Sequence, residues 1–161
     1  MSKIGVIYGS NQGDTKEVAE YIASKFDSEI INATDLTADF FTKFDKFIFA
    51  ASTHGHGELQ KDFKAKLGLV AEADFNGKTI ALVGIGGQVK HGSTFLDGLV
   101  EFLPLIRGAK LVGSSQVDGY KFSHSLSFIN GKFIGASIDF KNDPNWKARA
   151  DKWVDSVKNE F

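Results

Sequence analysis

Lys3-Ile4-Gly5-Val6-Ile7-Tyr8, followed at once by Gly9-Ser10-Asn11-Gln12-Gly13-Asp14-Thr15, decides the fold of this chain. The first six residues are apolar and β-branched, and read as a strand buried on both faces. The next seven combine glycine with hydroxyl and amide side chains. Val18, Ala19, Ile22, Ala23 and Phe26 then fall on one face of a helix. Strand, tight turn and helix open a βαβ unit, and the rest of the chain repeats that grammar.

A short strand is expected around Glu29–Asn32, then an amphipathic connection through Phe40, Phe41 and Phe44. Lys46–Ala51 reads as a second buried strand, followed by a helix from about Leu59 to Gly68. Lys78–Gly84 is the third buried strand. A helix carrying Phe95, Leu96, Leu99, Phe102 and Leu103 follows, ended or kinked by Pro104. Ala109–Gly113 starts another strand, and Lys132–Ile138 reads as its continuation after an excursion of about 19 residues. Asp143-Pro144-Asn145 signals the start of a last helix that buries Trp146, Trp153, Val154, Val157 and Phe161. The alternation predicts an α/β fold, a doubly wound five-stranded parallel sheet with helices on both faces.

At 161 residues, the expectation is a single domain over 1–161. Hydrophobic residues make up 42% of the chain, including fifteen Phe, so core material is ample. Nineteen bases against twenty acids, spread along the chain, give a net charge of −1 and suggest neither a nucleic-acid nor a membrane partner. The absence of Cys excludes disulfides, thiolate chemistry and iron–sulfur ligation. No apolar run approaches the ~18 residues of a membrane span. Met1-Ser2-Lys3-Ile4 runs straight into a strand and leaves no room for a signal peptide, so a cytoplasmic protein is expected.

Three glycine-rich loops follow the three buried strands, and such loops are where open α/β sheets bind ligands. In the first, Ser10 and Thr15 offer hydroxyls, Asn11 and Gln12 offer amides, and Gly13 permits close backbone approach at a helix start. The loop reads as a phosphate cradle. Lysine is missing after its last glycine, where Asp14 stands instead, and no Gly-x-Gly-x-x-Gly is present; one phosphomonoester fits better than a polyphosphate or a dinucleotide.

The second loop, Ser52-Thr53-His54-Gly55-His56-Gly57-Glu58, and the third, Gly84–His91, suit a flat polar heterocycle. Gly55 can take positive φ, so the Gly55-His56 carbonyl could turn over. His54 and His91 are the side chains able to stack on a ring, and Gly86, Gly87 and Gln88 offer closely spaced backbone groups. Glu58 suits a helix start for dipole reasons alone. His54, His56, Glu58 and His91 as zinc ligands are the lesser reading, because a glycine-rich loop lacks a rigid scaffold and the phosphate loop would stay unexplained. No metal and no catalytic residue are assigned.

At these residues the chain resembles a long-chain flavodoxin. The resemblance runs from Ile4 to Phe161 and is strongest at Gly9–Thr15 and at Gly57-Glu58-Leu59-Gln60-Lys61-Asp62-Phe63. Asp118-Gly119-Tyr120 with Phe122, and Asn130-Gly131-Lys132-Phe133-Ile134-Gly135 before Asp139, resemble the insertion that splits the last strand in long-chain members. The resemblance implies strand order 2-1-3-4-5, a non-covalent FMN and one-electron transfer between partner proteins, with no substrate of its own. Ser10, Asn11, Gln12, Gly13, Asp14 and Thr15 would hold the phosphate; Ser52, Thr53, His54, Gly55, His56 and Gly57, with Gly86, Gly87, Gln88 and His91, would wrap the isoalloxazine; and Asp139 would reach the ribityl chain. It further implies a monomer served by a flavodoxin- or ferredoxin-reductase-type donor. An FMN-dependent quinone-type reductase and a binding module with weak flavin retention are the alternatives.

Three departures from the family pattern stand out. His54 replaces a stacking Trp and His91 a stacking Tyr, Gly87 replaces an acidic residue, and Lys61, Lys64 and Lys90 lie beside the flavin loops of a near-neutral chain. A nearby imidazolium favours an anionic, fully reduced flavin. The second-electron potential is therefore expected to be less negative than is typical and to rise as pH falls through the histidine range near 6.5.

Overall fold

The computed structural model describes residues 3–161. β1 (Ile4–Gly9) is buried throughout and pairs in parallel on both sides, with β2 (Ser28–Asn32) and β3 (Lys46–His54). β4 (Glu58–Leu59) folds back antiparallel on the end of β3. β5 (Thr79–Ile85) and β6 (Lys110–Val112) complete the order β2-β1-β3-β5-β6. Winding reverses between β1 and β3, which puts the switch point, and hence the ligand crevice, at their carboxyl ends.

The strands sort their side chains by the two-residue period of a pleated sheet. Phe47, Phe49 and Ala51 of β3 join one core, and Ile48 and Ala50 join the other. The first core is packed with Phe, where Phe63, Phe75, Phe95 and Phe102 add to β3 and each fully buried side chain contributes roughly 1.5–3 kcal/mol. The second lies under α1 (Asp14–Ala23) and also gathers Trp146, Trp153, Val154 and Val157.

The last sheet position is split. β6 pairs with Thr79–Ala81 of β5, and a later strand pairs with the Val83–Ile85 half. Between them lies a hairpin of β7 (Phe128–Ile129) and β8 (Lys132–Phe133), and the sheet resumes only at β9 (Ala136–Ile138). The expected continuation at Lys132 is thus corrected: Lys132 and Phe133 belong to the excursion, where Phe133 packs against Phe95, Phe122 and Phe128. The last helix, α4 (Trp146–Lys158), starts where Asp143-Pro144-Asn145 predicted, with Asp143 Oδ1 accepting from the Asn145 amide at 2.9 Å.

Two expected helices differ. The span from Leu59 to Gly68 is not one helix: α2 (Lys61–Lys64) and α3 (Leu67–Glu72) are separate, and Leu59 is in a strand. Leu59, Phe63, Leu67 and Val70 keep helical spacing across the break, which is why periodicity alone missed it. Gln60, not Glu58, caps α2 by accepting from the Phe63 amide at 2.9 Å. Near Phe95 the chain forms a 3-10 helix, Asp97–Leu105, with Pro104 inside its last turn. Gly98 explains the tight winding: a Cβ there would lie 2.9 Å from Leu59 Cα, so the segment is wedged against the second loop.

Candidate functional site

The first loop is built on one turn and one prop. Gly13 at φ 93° takes a left-handed conformation, and its amide donates to Ser10 Oγ at 2.9 Å before α1 begins. The first-turn amides of a helix have no intrahelical acceptor, so donors converge here. The prop is Gln60, fully buried, whose amide group donates to Asn11 Oδ1 at 2.8 Å and to Asp62 Oδ2 at 2.9 Å. A Cβ on Gly9 would overlap Gln60 Oε1, so the small residue ending β1 and the buried amide define each other.

The first loop itself carries no lysine, but the cleft supplies one. Lys141, from the segment after β9, donates to Gln12 Oε1 at 3.1 Å and lies 3.9 Å from Asp14 Oδ2. The carboxylate expected to repel a polyphosphate is therefore paired across the cleft.

The second loop is a β-hairpin. His54 pairs with Glu58, the Gly57 amide donates to the His54 carbonyl at 3.2 Å, and Gly55 and Gly57 turn the chain at φ 57° and 97°. Ser52, Thr53 and His54 line the cleft, whereas Gly55, His56 and Gly57 form the hairpin tip outside its lining. Ser52 Oγ and His54 Nε2 lie 2.7 Å apart, fixing the ring. Partial desolvation first, then repulsion from His91 and Lys141, holds the His54 pKa below its ordinary 6.5. Protonation through the range near 6.5 is thus corrected to a lower range.

The third loop is tied down from the far side of the chain. The Gly86 amide donates to the Ile138 carbonyl at 3.0 Å, and the Gln88 amide to Asp139 Oδ2 at 3.1 Å. The Gln88 side chain turns out of the cleft and accepts from the Lys121 amide at 2.6 Å. Gly86, Gly87 and His91 line the cleft; Val89, 75% exposed, and Lys90 form its rim.

Asp139 lines the cleft yet is 1% exposed, and its carboxylate accepts from Gln88, from the Asn142 amide and twice from the Asn142 side chain. A carboxylate has about four acceptor positions, so the protein itself occupies them. Tyr120 completes the knot: its hydroxyl accepts from the Asp139 amide at 3.0 Å and donates to Asp143 Oδ2 at 2.7 Å. Burial first, and Asp143 beside it, push the Tyr120 pKa up.

The cleft encloses about 460 Å3 and is closed by a fourth wall, Phe140, Lys141 and Asn142, that sequence reasoning missed. The signal was present: these residues follow the split strand, at the carboxyl end of a parallel strand like the other three loops. Among the described residues no three His, Asp or Glu side chains come together as a metal-holding group, and no helix is long and apolar enough to cross a membrane. His124 is exposed on the insertion and does not line the cleft.

Comparisons with known proteins fit this geometry. The family model described as Flavodoxin matches residues 6–125. The flavodoxin of Helicobacter pylori is 36% identical over 163 residues, covering 100% of this chain and 99% of that protein. Flavodoxin 1 of Azotobacter vinelandii is 37% identical over 171 residues, covering 100% and 98%. The crystal structure of Fusobacterium nucleatum flavodoxin bound to flavin mononucleotide superposes with a TM-score of 0.93 at 30% identity, covering 100% of this chain and 99% of that one.

Proposed function

The chain belongs to the flavodoxin family, and from that premise we propose that it carries electrons one at a time on a non-covalently bound flavin mononucleotide. The observation that carries this reading is the four-walled cleft at the carboxyl ends of β1, β3, β5 and β9. Its volume lies within the ~300–1,000 Å3 usual for small-molecule sites. The FMN-bound relative with the same fold supports the same ligand.

Ser10, Asn11, Gln12, Gly13, Asp14 and Thr15 would hold the phosphate at the helix start, Asp14 through its backbone amide. Ser52, Thr53 and His54 of one loop and Gly86, Gly87 and His91 of another would hold the ring system. Bound FMN supplies the one-electron redox chemistry at its isoalloxazine. The chain's own part is to orient the ring, limit water and offer a proton acceptor. Gly55, left-handed at the hairpin tip, gives the Gly55-His56 peptide freedom to reverse its carbonyl. Asp139 acts through Gln88 and Asn142, its carboxylate holding two cleft walls together rather than accepting from the ligand.

The protein is an electron carrier without a substrate of its own, and its partners are redox proteins. The donor is of the flavodoxin- or ferredoxin-reductase type, the chain acts as a cytoplasmic monomer, and residues 1–161 form one FMN-binding domain of the long-chain type. The β7–β8 excursion between β6 and β9 supports that last assignment. Stopped-flow reduction by such a reductase tests the role. Reduction of the bound flavin with negligible NADPH:quinone turnover by the isolated protein is the expected result; quinone turnover by the protein alone would replace the carrier with an enzyme.

A further inference from the structure

We propose that Lys141 is the cation of the phosphate site, delivered from the loop after β9, an assignment that rests on the flavin reading above. Its ammonium bridges Gln12 Oε1 at 3.1 Å and Asp14 Oδ2 at 3.9 Å, at the start of α1. Lys141 and Asp14 line one cleft with Ser10 and Thr15. A phosphate entering that loop meets the positive end of α1 but also the Asp14 carboxylate, which opposes it. Lys141 removes that opposition.

The lysine is held there by its backbone. Two residues before it, Asp139 is buried; one residue after it, the Asn142 amide and side chain both donate to Asp139. The loop therefore carries Lys141 over the phosphate loop instead of leaving it to roam. The side chain is 65% exposed, so its existing pair with Asp14 is worth little, and sharing the ammonium with a doubly charged phosphate costs little. An ammonium is a point charge that suits phosphate without demanding one geometry.

The full chain freed of flavin, titrated with FMN and with riboflavin at low and high NaCl, tests the assignment. Lys141→Gln should weaken FMN about tenfold, or ~1.4 kcal/mol, while riboflavin binding stays within about twofold. Lys141→Arg should keep most of the FMN affinity. The wild type should lose FMN affinity with salt more steeply than Lys141→Gln. Unchanged FMN affinity in Lys141→Gln, or an equal loss for both ligands, overturns the proposal. A wild-type chain that binds neither ligand would instead remove the flavin reading beneath it.

Discussion

At the residue scale, His54 should give the cleft a pH response. Its pKa lies below 6.5, set by desolvation, His91 and Lys141, with Ser52 as its hydrogen-bond partner. A depressed histidine pKa means that the fold disfavours the imidazolium. Its contribution to stability is therefore full above about pH 6.5 and is lost as pH falls through the folded value. His54→Phe should accordingly lose less stability than wild type between pH 6.5 and 5, read as urea midpoints. The second-electron potential should climb on the order of tens of millivolts in the same acid range, given ~59 mV per tenfold. In His54→Phe that climb should flatten, and an unchanged pH dependence would mean that another group sets it. Gln60 offers a second test. Gln60→Leu leaves Asn11 and the Phe63 amide without their partner and should cost about 1–3 kcal/mol in urea unfolding, with weaker FMN binding. Gly9–Thr15 could be read from sequence because its chemistry is local to seven residues. The roles of Gln60 and Lys141 could not, since each acts on a loop 49 or 129 residues away in the chain.

At the element scale, the insertion is fastened by two side chains of α4, Lys152, which donates to Asp118 Oδ2 at 2.8 Å, and Arg149. The Arg149 guanidinium donates to the carbonyls of Val117, Asp118 and Ser137 at 2.8, 2.9 and 2.7 Å and stacks 3.5 Å from the centre of the Tyr120 ring. Burial pulls its pKa down, opposed by Tyr120, Asp118 and Asp143. Lysine cannot reproduce that fork. Arg149→Lys should therefore destabilise by about 2 kcal/mol and raise hydrogen exchange across residues 113–135, while β1 and β3 stay protected. Uniform loss of protection would mean that the insertion folds as one unit with the sheet. The strands were legible because buried parallel strands are continuous apolar runs. The helical segments around Leu59 and Phe95 were not, because the hairpin at β4 and the wedge at Gly98 override a periodicity that itself favours helices. The split last strand was visible as a pattern but not in its boundaries. Phe133 is apolar like a strand residue, yet it packs into the excursion's own aromatic cluster.

At the scale of the whole molecule, the sheet order brings four loop ends to one edge and encloses a cleft lined by His54, His91, Lys90 and Lys141. The smaller stacking area of imidazole should weaken FMN binding relative to Trp- and Tyr-bearing members, measurable as a faster flavin release rate. The family and the fold were both legible in the three loops, since their chemistry follows directly from strand-end glycines and polar side chains. The fourth wall follows β9, which the insertion separates from β6 in the chain while the sheet keeps both beside β5. A spectroelectrochemical titration of the purified full chain reconstituted with FMN decides whether the protein is a one-electron flavin carrier. Stoichiometric FMN binding and two separate one-electron steps are expected, the second less negative than in acidic, Trp- and Tyr-bearing members. A chain that fails to bind FMN, or that takes up both electrons in one two-electron step, would contradict that role.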